Sequence, residues 1–159
     1  MTTTLTLRAA LPADAPAITA LVADLMPFLT LHADGRGAEK FRENCNLAAM
    51  EAYLFQPRYR YQIAHADGVL AGVVAMRDTT HLFHLFVPRA MHRRGIARQL
   101  WQAAREASLA NGEVTAFTVN ASIHALPFYT SLGFVATGPK VEEAGIAYVP
   151  MTLVMPLTS

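Results

Sequence analysis

Cys45 is the single cysteine of this chain of 159 residues, so an internal disulfide is excluded. No cysteine and histidine pair has the spacing of zinc ligands. Charged residues make up only 16% of the chain, and the net charge of +1 argues against broad electrostatic attraction to nucleic acid. No uncharged run approaches the ~18 apolar residues of a membrane-spanning helix, and no secretion signal is recognisable. These absences favour a cytoplasmic protein without a metal site.

Apolar residues make up 53% of the sequence, a fraction that favours a well-buried sheet. The length suits one domain and is short for two, so we expect a single domain over residues 1–159. Apolar patterns of strand and helix type follow in the order β-α-α-β-β-β-α-β-α-β-β. This order predicts an α/β (α+β) fold, in which about four helices flank a mixed, mostly antiparallel twisted sheet of about seven strands.

Local patterns set the expected bounds of these elements. The first strand is predicted over residues 3–9, and the first helix begins at Pro12 or Asp14 and must kink or stop at Pro27. A second helix is predicted over about 39–55. The Asp67-Gly68 pair joins strands over 59–65 and 69–77 and is the strongest hairpin signal of the chain. Further patterns predict strands over 80–87 and 114–119, helices over 95–111 and 121–131, and two strands between 134 and 156.

The most informative stretch runs from His81 to Gln99. A β-rich run ends near Pro88, and a basic turn around Gly95 leads directly into a helical pattern. The free N–H groups and the positive dipole end of a helix suit an anion, and the absent side chain of Gly95 lets a phosphate approach the backbone. The local charge comes from Arg89, Arg93, Arg94 and Arg98. We expect a pyrophosphate site here, and the alternative is an ordinary solvated connection between strand and helix.

The stretch lacks the lysine of a P-loop and the three glycines of a dinucleotide fingerprint. Its segment His92-Arg93-Arg94-Gly95-Ile96-Ala97 resembles the Q/R-x-x-G-x-G/A signature of the GNAT (GCN5-related N-acetyltransferase) superfamily, with His92 in place of Gln or Arg. The order of elements is also similar to the GNAT core along nearly the whole chain. The resemblance implies that acetyl-CoA binds here, with contacts from Phe86, Val87, Arg89, His92, Arg93, Arg94, Gly95, Ile96, Ala97, Arg98, Asn120 and Tyr129.

A second segment, from Asn120 to Phe134, resembles the N-x-x-x-x-A-x-x-F-Y-x-x-x-G-F pattern of the same superfamily. The resemblance implies that Asn120 contacts the pantetheine arm and that Tyr129 protonates the departing thiolate. A phenol with a pKa near 10 is a reasonable proton donor to a thiolate. Structural roles are the alternatives, because Asn120 could cap a helix and Tyr129 could pack on the sheet.

Acetyl transfer to an amine requires a base or a water relay to take a proton, and the pKa of histidine suits this task. His81 precedes His92 at the spacing where several superfamily members carry a Glu or His base. His84 is the second candidate, and a buried histidine with a satisfied hydrogen bond is the alternative for both. Ideal strand alternation places His81 and His84 on opposite faces, although a bulge, usual in this superfamily, would change that arrangement.

The resemblance implies transfer of the acetyl group of acetyl-CoA to a primary amine of a small molecule or peptide, by direct attack in a ternary complex. A non-catalytic acetyl-CoA sensor or scaffold is the first alternative, and nucleic-acid binding through residues 89–98 is the second. Cys45 has no adjacent base, so an acyl-cysteine intermediate is not expected. The oligomeric state stays open, although dimers are common in the superfamily.

The acceptor pocket is expected over about residues 26–42 and 138–148. Charged and aromatic residues of these segments are Phe28, His32, Asp34, Arg36, Arg42, Glu142 and Glu143. This mixed set suits an amino acid, a polyamine, an aminoglycoside or a peptide terminus, and the sequence does not choose among them.

Overall fold

The computed structural model describes residues 4–156, which form one sheet with helices on both faces. The strands are β1 (Thr6–Ala9), β2 (Tyr59–Ala66), β3 (Val69–Arg77), β4 (His81–Phe86), β5 (Ala116–Ser122), β6 (Val135–Ala136), β7 (Val141–Glu143) and β8 (Ile146–Val154). The α-helices are α1 (Ala15–Leu29), α2 (Glu39–Glu43), α3 (Leu47–Phe55), α4 (Ile96–Ala110) and α5 (Leu126–Ser131). Short 3-10 turns cover Pro12–Asp14, Arg89–Met91 and Ile123–Ala125. The predicted fold class is confirmed.

Strand order in the sheet is β1-β2-β3-β4-β5-β8-β6, and β7 pairs with β8 off this path. Every pairing is antiparallel except that of β4 with β5, which is parallel and short. The parallel pairing covers His81 with Thr118 and Leu82 with Val119. Beyond it, β5 continues along β8 to Ser122 while β4 continues along β3. The two central strands therefore diverge, and a gap opens between their carboxyl ends.

The first hydrophobic core lies between the sheet and α4. Leu100, Trp101 and Ala104 of this helix are buried, and the Trp101 ring meets the rings of Phe117 and Phe134 edge-on. Such edge-to-face pairs add to the free energy of area burial. Helix α4 is thereby fixed behind the end of β4, with its first turn directed towards the gap.

The second core lies on the opposite face, under α1 and α3. Ile18 and Val22 of α1 and Met50 of α3 are buried against Ile63 and Val73 of the sheet. The helical spacing of the α1 residues explains this packing, because residues four apart share one face of a helix. The carboxyl end of α1 consequently reaches the same gap from the other side of the sheet.

A β-bulge interrupts β4 beside β3. Ala75 pairs with His84 and Met76 pairs with Leu82, so Phe83 is an extra residue on β4. As a result His84 joins Phe83 on the α1/α3 face, where its ring contacts Tyr61. Ideal alternation would place His81 and His84 on opposite faces, and this expectation is wrong here because the bulge shifts the alternation.

Several element bounds differ from the sequence expectations. Helix α1 continues past Pro27 and ends at Leu29, so the expected stop comes two residues after the proline. The helix expected over 39–55 is divided in two, because the Asn46 side chain accepts a hydrogen bond from the N–H of Ala49 and begins α3. Strand β5 is displaced towards the carboxyl end, from 114–119 to 116–122. The start expected for the first strand, before residue 4, lies outside the described residues.

The predicted hairpin at Asp67-Gly68 is confirmed. The hairpin between β2 and β3 turns at Asp67 and Gly68, which both have positive φ, 51° and 78°. This is the conformation that a two-residue type I′ turn requires. The expectation of two strands in the tail is wrong, because β7 is a short separate partner of β8 and makes a third strand.

Replacement of Leu100 by Ala should lower the free energy of unfolding by about 3 kcal/mol, because this side chain is fully buried between α4 and the sheet. Urea unfolding measures the change. Gln102→Ala, on the exposed face of the same helix, is the matched control and should change stability by less than about 0.5 kcal/mol. Equal effects of the two substitutions would contradict the described orientation of α4.

Candidate active site

A cleft of about 710 Å³ occupies the gap between the diverging ends of β4 and β5. One wall is the end of β4 with the turn that follows it, and the other is formed by residues 122–129. The floor includes the first turn of α4, and the carboxyl end of α1 closes the far side. Predicted site residues that line the cleft are Phe86, Val87, His92, Arg93, Gly95, Ile96, Ala97, Arg98 and Tyr129. Those outside its lining are His81, His84, Arg89, Arg94 and Asn120.

Two residues with left-handed backbone conformation shape the start of α4. Arg93 has φ 65° and Gly95 has φ 75°, a region where a glycine carries no steric cost. A Cβ atom built on Gly95 would meet nothing within 4 Å, so space beside this backbone is open. Gly95, Ile96 and Ala97 all line the cleft. The first N–H groups of α4, which have no partners within the helix, thus lie beside open space suited to an anion.

The arginines near this helix start carry positive charge that the protein does not neutralise. Within residues 4–156 the ion pairs join Arg8 to Asp14, Arg58 to Asp78 and Lys140 to Glu142, and none involves Arg93, Arg94 or Arg98. Arg98 instead donates to the Ser131 hydroxyl at 3.3 Å, which ties α4 to α5. The cleft therefore combines free N–H groups with unpaired guanidinium charge.

His92 connects this helix start to the end of β4. Its Nε2 lies 2.8 Å from the carbonyl oxygen of Val87, and because a carbonyl only accepts, Nε2 carries the hydrogen and donates. A neutral His92 then has no hydrogen on Nδ1 for a ligand. The hydrogen bond from His92 to Val87 fixes the turn instead. The backbone N–H groups of Val87 and Arg89 donate no hydrogen bond within residues 4–156. These two N–H groups are free to meet a bound molecule.

Tyr129 lies on the opposite wall of the cleft. Its ring is buried against Phe128 and Phe134, with ring centroids 5.2 and 5.5 Å away. Burial raises the pKa of the Tyr129 hydroxyl well above its usual value, because desolvation disfavours the phenolate. The hydroxyl is therefore protonated at neutral pH, and it makes no hydrogen bond to the described part of the chain. It is available as a hydrogen-bond donor to a molecule in the cleft.

The sequence of this chain matches the model of a known protein family. The family model described as an acetyltransferase (GNAT) domain matches residues 29–155. The chain belongs to the GNAT acetyltransferase family. A GCN5-related N-acetyltransferase from Rhodopseudomonas palustris is similar at 27% identity, with 98% of each chain covered and a TM-score of 0.80.

Two further solved structures share the fold at lower identity. PaiA N-acetyltransferase from Thermoplasma acidophilum, solved with coenzyme A, is 13% identical with a TM-score of 0.76, and covers 96% of this chain and 99% of its own. Spermidine N-acetyltransferase SpeG from Vibrio cholerae is 16% identical with a TM-score of 0.66, and the match covers 94% of this chain and 93% of that one. At these identities the likeness concerns the fold alone.

The GNAT domain places Asn120 and Ser122 differently from expectation. Asn120 lies inside β5 opposite Pro150, exposed and outside the cleft lining, so a helix-capping role for it is wrong. Ser122 is the last residue of β5 and directly precedes the 3-10 turn. Both Ser122 and His124 line the cleft. Sequence reasoning missed both residues because it ended the strand at residue 119. The alternation of buried Phe117, Val119 and Ala121 is the signal that extends the strand.

The two histidines on β4 lie outside the lining of the cleft. His84 is buried, and its Nδ1 shares a hydrogen bond of 2.8 Å with the Tyr61 hydroxyl. Desolvation, with a smaller contribution from Arg77, lowers the pKa of His84 to about 3. His81 is half-buried, and its Nδ1 lies 2.8 Å from the Thr118 hydroxyl. Desolvation also lowers the pKa of His81, with Arg77 acting in the same direction and Asp78 against it.

The two segments predicted for the acceptor pocket meet in the structure. The N–H of Leu31 donates to the carbonyl of Gly145 at 2.8 Å, which ties the loop after α1 to the β7–β8 hairpin. A Cβ atom at Gly145 would lie 2.6 Å from backbone atoms of Ala38, so only glycine permits this close approach. Leu25, Phe28 and Leu29 of α1 continue the wall into the cleft. The loop and hairpin therefore lie on the α1 side of the gap.

Residues 4–156 contain neither a membrane-spanning helix nor a cluster of metal-binding side chains. No helix among them is long and apolar enough to cross a membrane. No group of three or more His, Cys, Asp or Glu side chains there is arranged to hold a metal ion. Cys45 is buried, and desolvation raises the pKa of its thiol to about 11, which keeps it protonated at neutral pH.

The depressed pKa of His84 predicts a loss of stability in mild acid. Between about pH 3 and pH 6.5 the unfolded chain binds a proton at this residue and the folded chain does not. Above that range this proton uptake does not lower the free energy of unfolding. Between pH 7 and pH 5 it lowers the free energy of unfolding by about 2 kcal/mol. Urea unfolding at the two pH values measures it.

His84→Phe is the comparison, because phenylalanine suits the neighbouring rings and cannot titrate. Its absolute stability will also change, since Tyr61 loses a partner, but that loss does not depend on pH over this range. The substitution should reduce the difference in stability between pH 7 and pH 5. An unchanged difference would mean that His84 titrates normally in the folded protein.

Proposed function

We propose that this GNAT domain transfers the acetyl group of acetyl-CoA to the primary amine of a small molecule or peptide, by direct attack in a ternary complex. The observation that carries the proposal is the cleft itself, where an open, unneutralised anion site at the start of α4 is continuous with free backbone N–H groups and the Tyr129 hydroxyl. A related fold solved with coenzyme A supports the choice of cofactor.

The residues of the proposed cofactor site divide by the chemistry they offer. The N–H groups at Gly95, Ile96 and Ala97, with the guanidinium groups of Arg93, Arg94 and Arg98, suit the pyrophosphate. The free N–H groups of Val87 and Arg89 suit the amides of the pantetheine arm, which would add along β4 like a further strand. Phe86 lines the cleft beside them. The direct contacts of His92 and Asn120 remain predictions, and Ser122 is an additional candidate on the β5 side.

In the proposed reaction the amine nitrogen attacks the thioester carbon, a C–N bond forms and the C–S bond breaks. Tyr129 donates a hydrogen bond or its proton to the departing thiolate, and burial suits it to this role because it keeps the hydroxyl protonated. Backbone N–H groups beside the bulge of β4 are the proposed donors to the tetrahedral oxyanion. Positioning of the two substrates in the cleft supplies much of the remaining rate.

The attacking amine must also lose a proton, and His81 and His84 remain the predicted bases beside a water relay. The low pKa of His84 weighs against it, because a base works best with a pKa near the working pH. His81 is the better candidate by this measure, but it does not line the cleft. We therefore propose that water in the cleft carries the proton away from the amine, and that His81 rather than His84 is the base on β4.

Binding of acetyl-CoA is tested by calorimetric titration of the parent, Gly95→Asp and Gly68→Asp. Gly95→Asp places a carboxylate in the proposed phosphate site and should weaken binding at least about 100-fold. Gly68 has φ 78° and open space around it, like Gly95, but lies in the β2–β3 turn, so Gly68→Asp controls for backbone strain. An equal loss in both variants, or no binding to the folded parent, would contradict the site.

Transfer is then tested by mass spectrometry of an amine panel with acetyl-CoA. N-acetylated product formed only with the enzyme supports catalysis. Tight acetyl-CoA binding with no product from any amine would favour the non-catalytic sensor or scaffold instead. Binding to nucleic acid that survives excess CoA and falls steeply with salt would favour the remaining alternative.

Tyr129→Phe should lower kcat about 100-fold while the Kd for acetyl-CoA changes by less than about twofold, because only the proton donor is lost. Tyr59→Phe is the matched control, since Tyr59 lies on β2 outside the cleft lining and should leave kcat unchanged. A kcat for Tyr129→Phe equal to that of the parent would show that the thiolate takes its proton from water.

A further inference from the structure

Arg89 is stacked across the acceptor side of the cleft. Its guanidinium carbon lies 4.1 Å from the centroid of the Phe28 ring, a cation–π contact between the turn after β4 and the end of α1. Phe28 lines the cleft, so the stack holds the guanidinium beside the cleft wall. Both residues are exposed, and the contact connects elements from the two sides of the gap. The charge is thus held in place at the opening of the cleft.

The hydrogen-bonding edge of this guanidinium is unoccupied. Stacking uses the flat face of the group and leaves its N–H edge directed elsewhere. Within residues 4–156 the Arg89 side chain makes no hydrogen bond and no carboxylate lies within 4.0 Å of it. Arg58, which is stacked on Tyr59 at 5.5 Å, is bound to Asp78 at 2.6 Å instead. Arg89 therefore offers a fixed, forked donor to an anion that the chain itself does not supply.

The position of the stack favours an anion on the acceptor over one on the cofactor. Phe28 belongs to α1, and the loop after this helix is tied to the β7–β8 hairpin, so the stack borders the segments that enclose the proposed acceptor pocket. The proposed phosphate site at the start of α4 has its own unpaired arginines. Phe28 holds the Arg89 side chain at the carboxyl end of α1 instead.

The same surroundings disfavour acceptors that carry only positive charge. Glu142 is bound to Lys140 at 3.0 Å, and Glu143 accepts a hydrogen bond from the Tyr148 hydroxyl at 3.0 Å. Lys140 thus offsets the charge of one of these carboxylates, and Arg89 would repel a polycation. An amine with a carboxylate nearby satisfies the unpaired guanidinium and avoids this repulsion.

We infer that Arg89, oriented by Phe28, recognises a carboxylate on the acceptor, and that the acceptor is a free amino acid or short peptide rather than a polyamine or aminoglycoside. The inference rests on the proposed function for the identity of the transferred group. It concerns a specificity-determining contact, because the guanidinium meets the acceptor and not the reacting atoms.

The test is calorimetric binding to the CoA-saturated protein, which does not depend on turnover. The ligands are a set of amino acids and dipeptides, each paired with its C-terminal amide, together with spermidine. The parent should bind at least one acid about tenfold more tightly than its amide, and Arg89→Gln should abolish that preference. Arg89→Lys, which keeps the charge without the planar fork, should keep part of it. Arg58→Gln, the other exposed stacked arginine, should keep all of it.

The other outcomes of this test either overturn the inference or separate it from the proposed function. A parent that binds amides or spermidine as well as every acid overturns the inference, and so does a preference that Arg89→Gln leaves intact. Weaker acetyl-CoA binding to Arg89→Gln with unchanged acid preference would assign the side chain to the cofactor and also overturns it. A carboxylate preference lost in Arg89→Gln, in a protein that acetylates no amine, would support the binding site while the proposed transferase activity fails.

Discussion

The divergence of β4 from β5 is the constraint on which the rest of the site depends. The parallel pairing of two residues from each strand ends at Val119, and each strand then follows its other neighbour. Strand edges within a sheet leave N–H and C=O groups that require partners. Between the ends of β4 and β5 such groups border the cleft rather than a neighbouring strand. The sheet therefore has an unpaired edge in its middle. The helices on both faces hold the edge open, because α4 and α1 are each fixed by a separate core.

Sequence reasoning worked where the cause of structure is local. Gly95 before an amphipathic helix, the Asp67-Gly68 turn and the β-rich run into Val87 are set by residues close in the chain, and all three were predictable. The fold class followed from the order of such elements. The arrangement of the site was less accessible, since the extent of β5 depends on its pairing with β8. The bulge at Phe83 likewise depends on β3, and it alone decides which face His84 occupies.

Burial has opposite chemical consequences for the two kinds of ring near the cleft. Desolvation disfavours the charged form of each group, which for Tyr129 is the phenolate and for His84 the imidazolium. A buried tyrosine therefore remains a donor, whereas a buried histidine becomes a weak base. Burial thus strengthens the prediction that Tyr129 protonates the thiolate and weakens the prediction that His84 is the base. The Tyr61 hydroxyl gives His84 the satisfied hydrogen bond expected of a structural histidine.

The cleft brings several unsatisfied groups together in one place. Two arginines far from it are ion-paired, Arg8 with Asp14 and Arg58 with Asp78. Around the cleft the chain leaves unpaired two backbone N–H groups after β4, the first turn of α4, the Tyr129 hydroxyl and several guanidinium groups. Like charges held close together destabilise a fold unless an anion relieves them. A bound polyanion would satisfy the donors and the charges at once, so the groups that cost stability in the free protein are those that would favour binding.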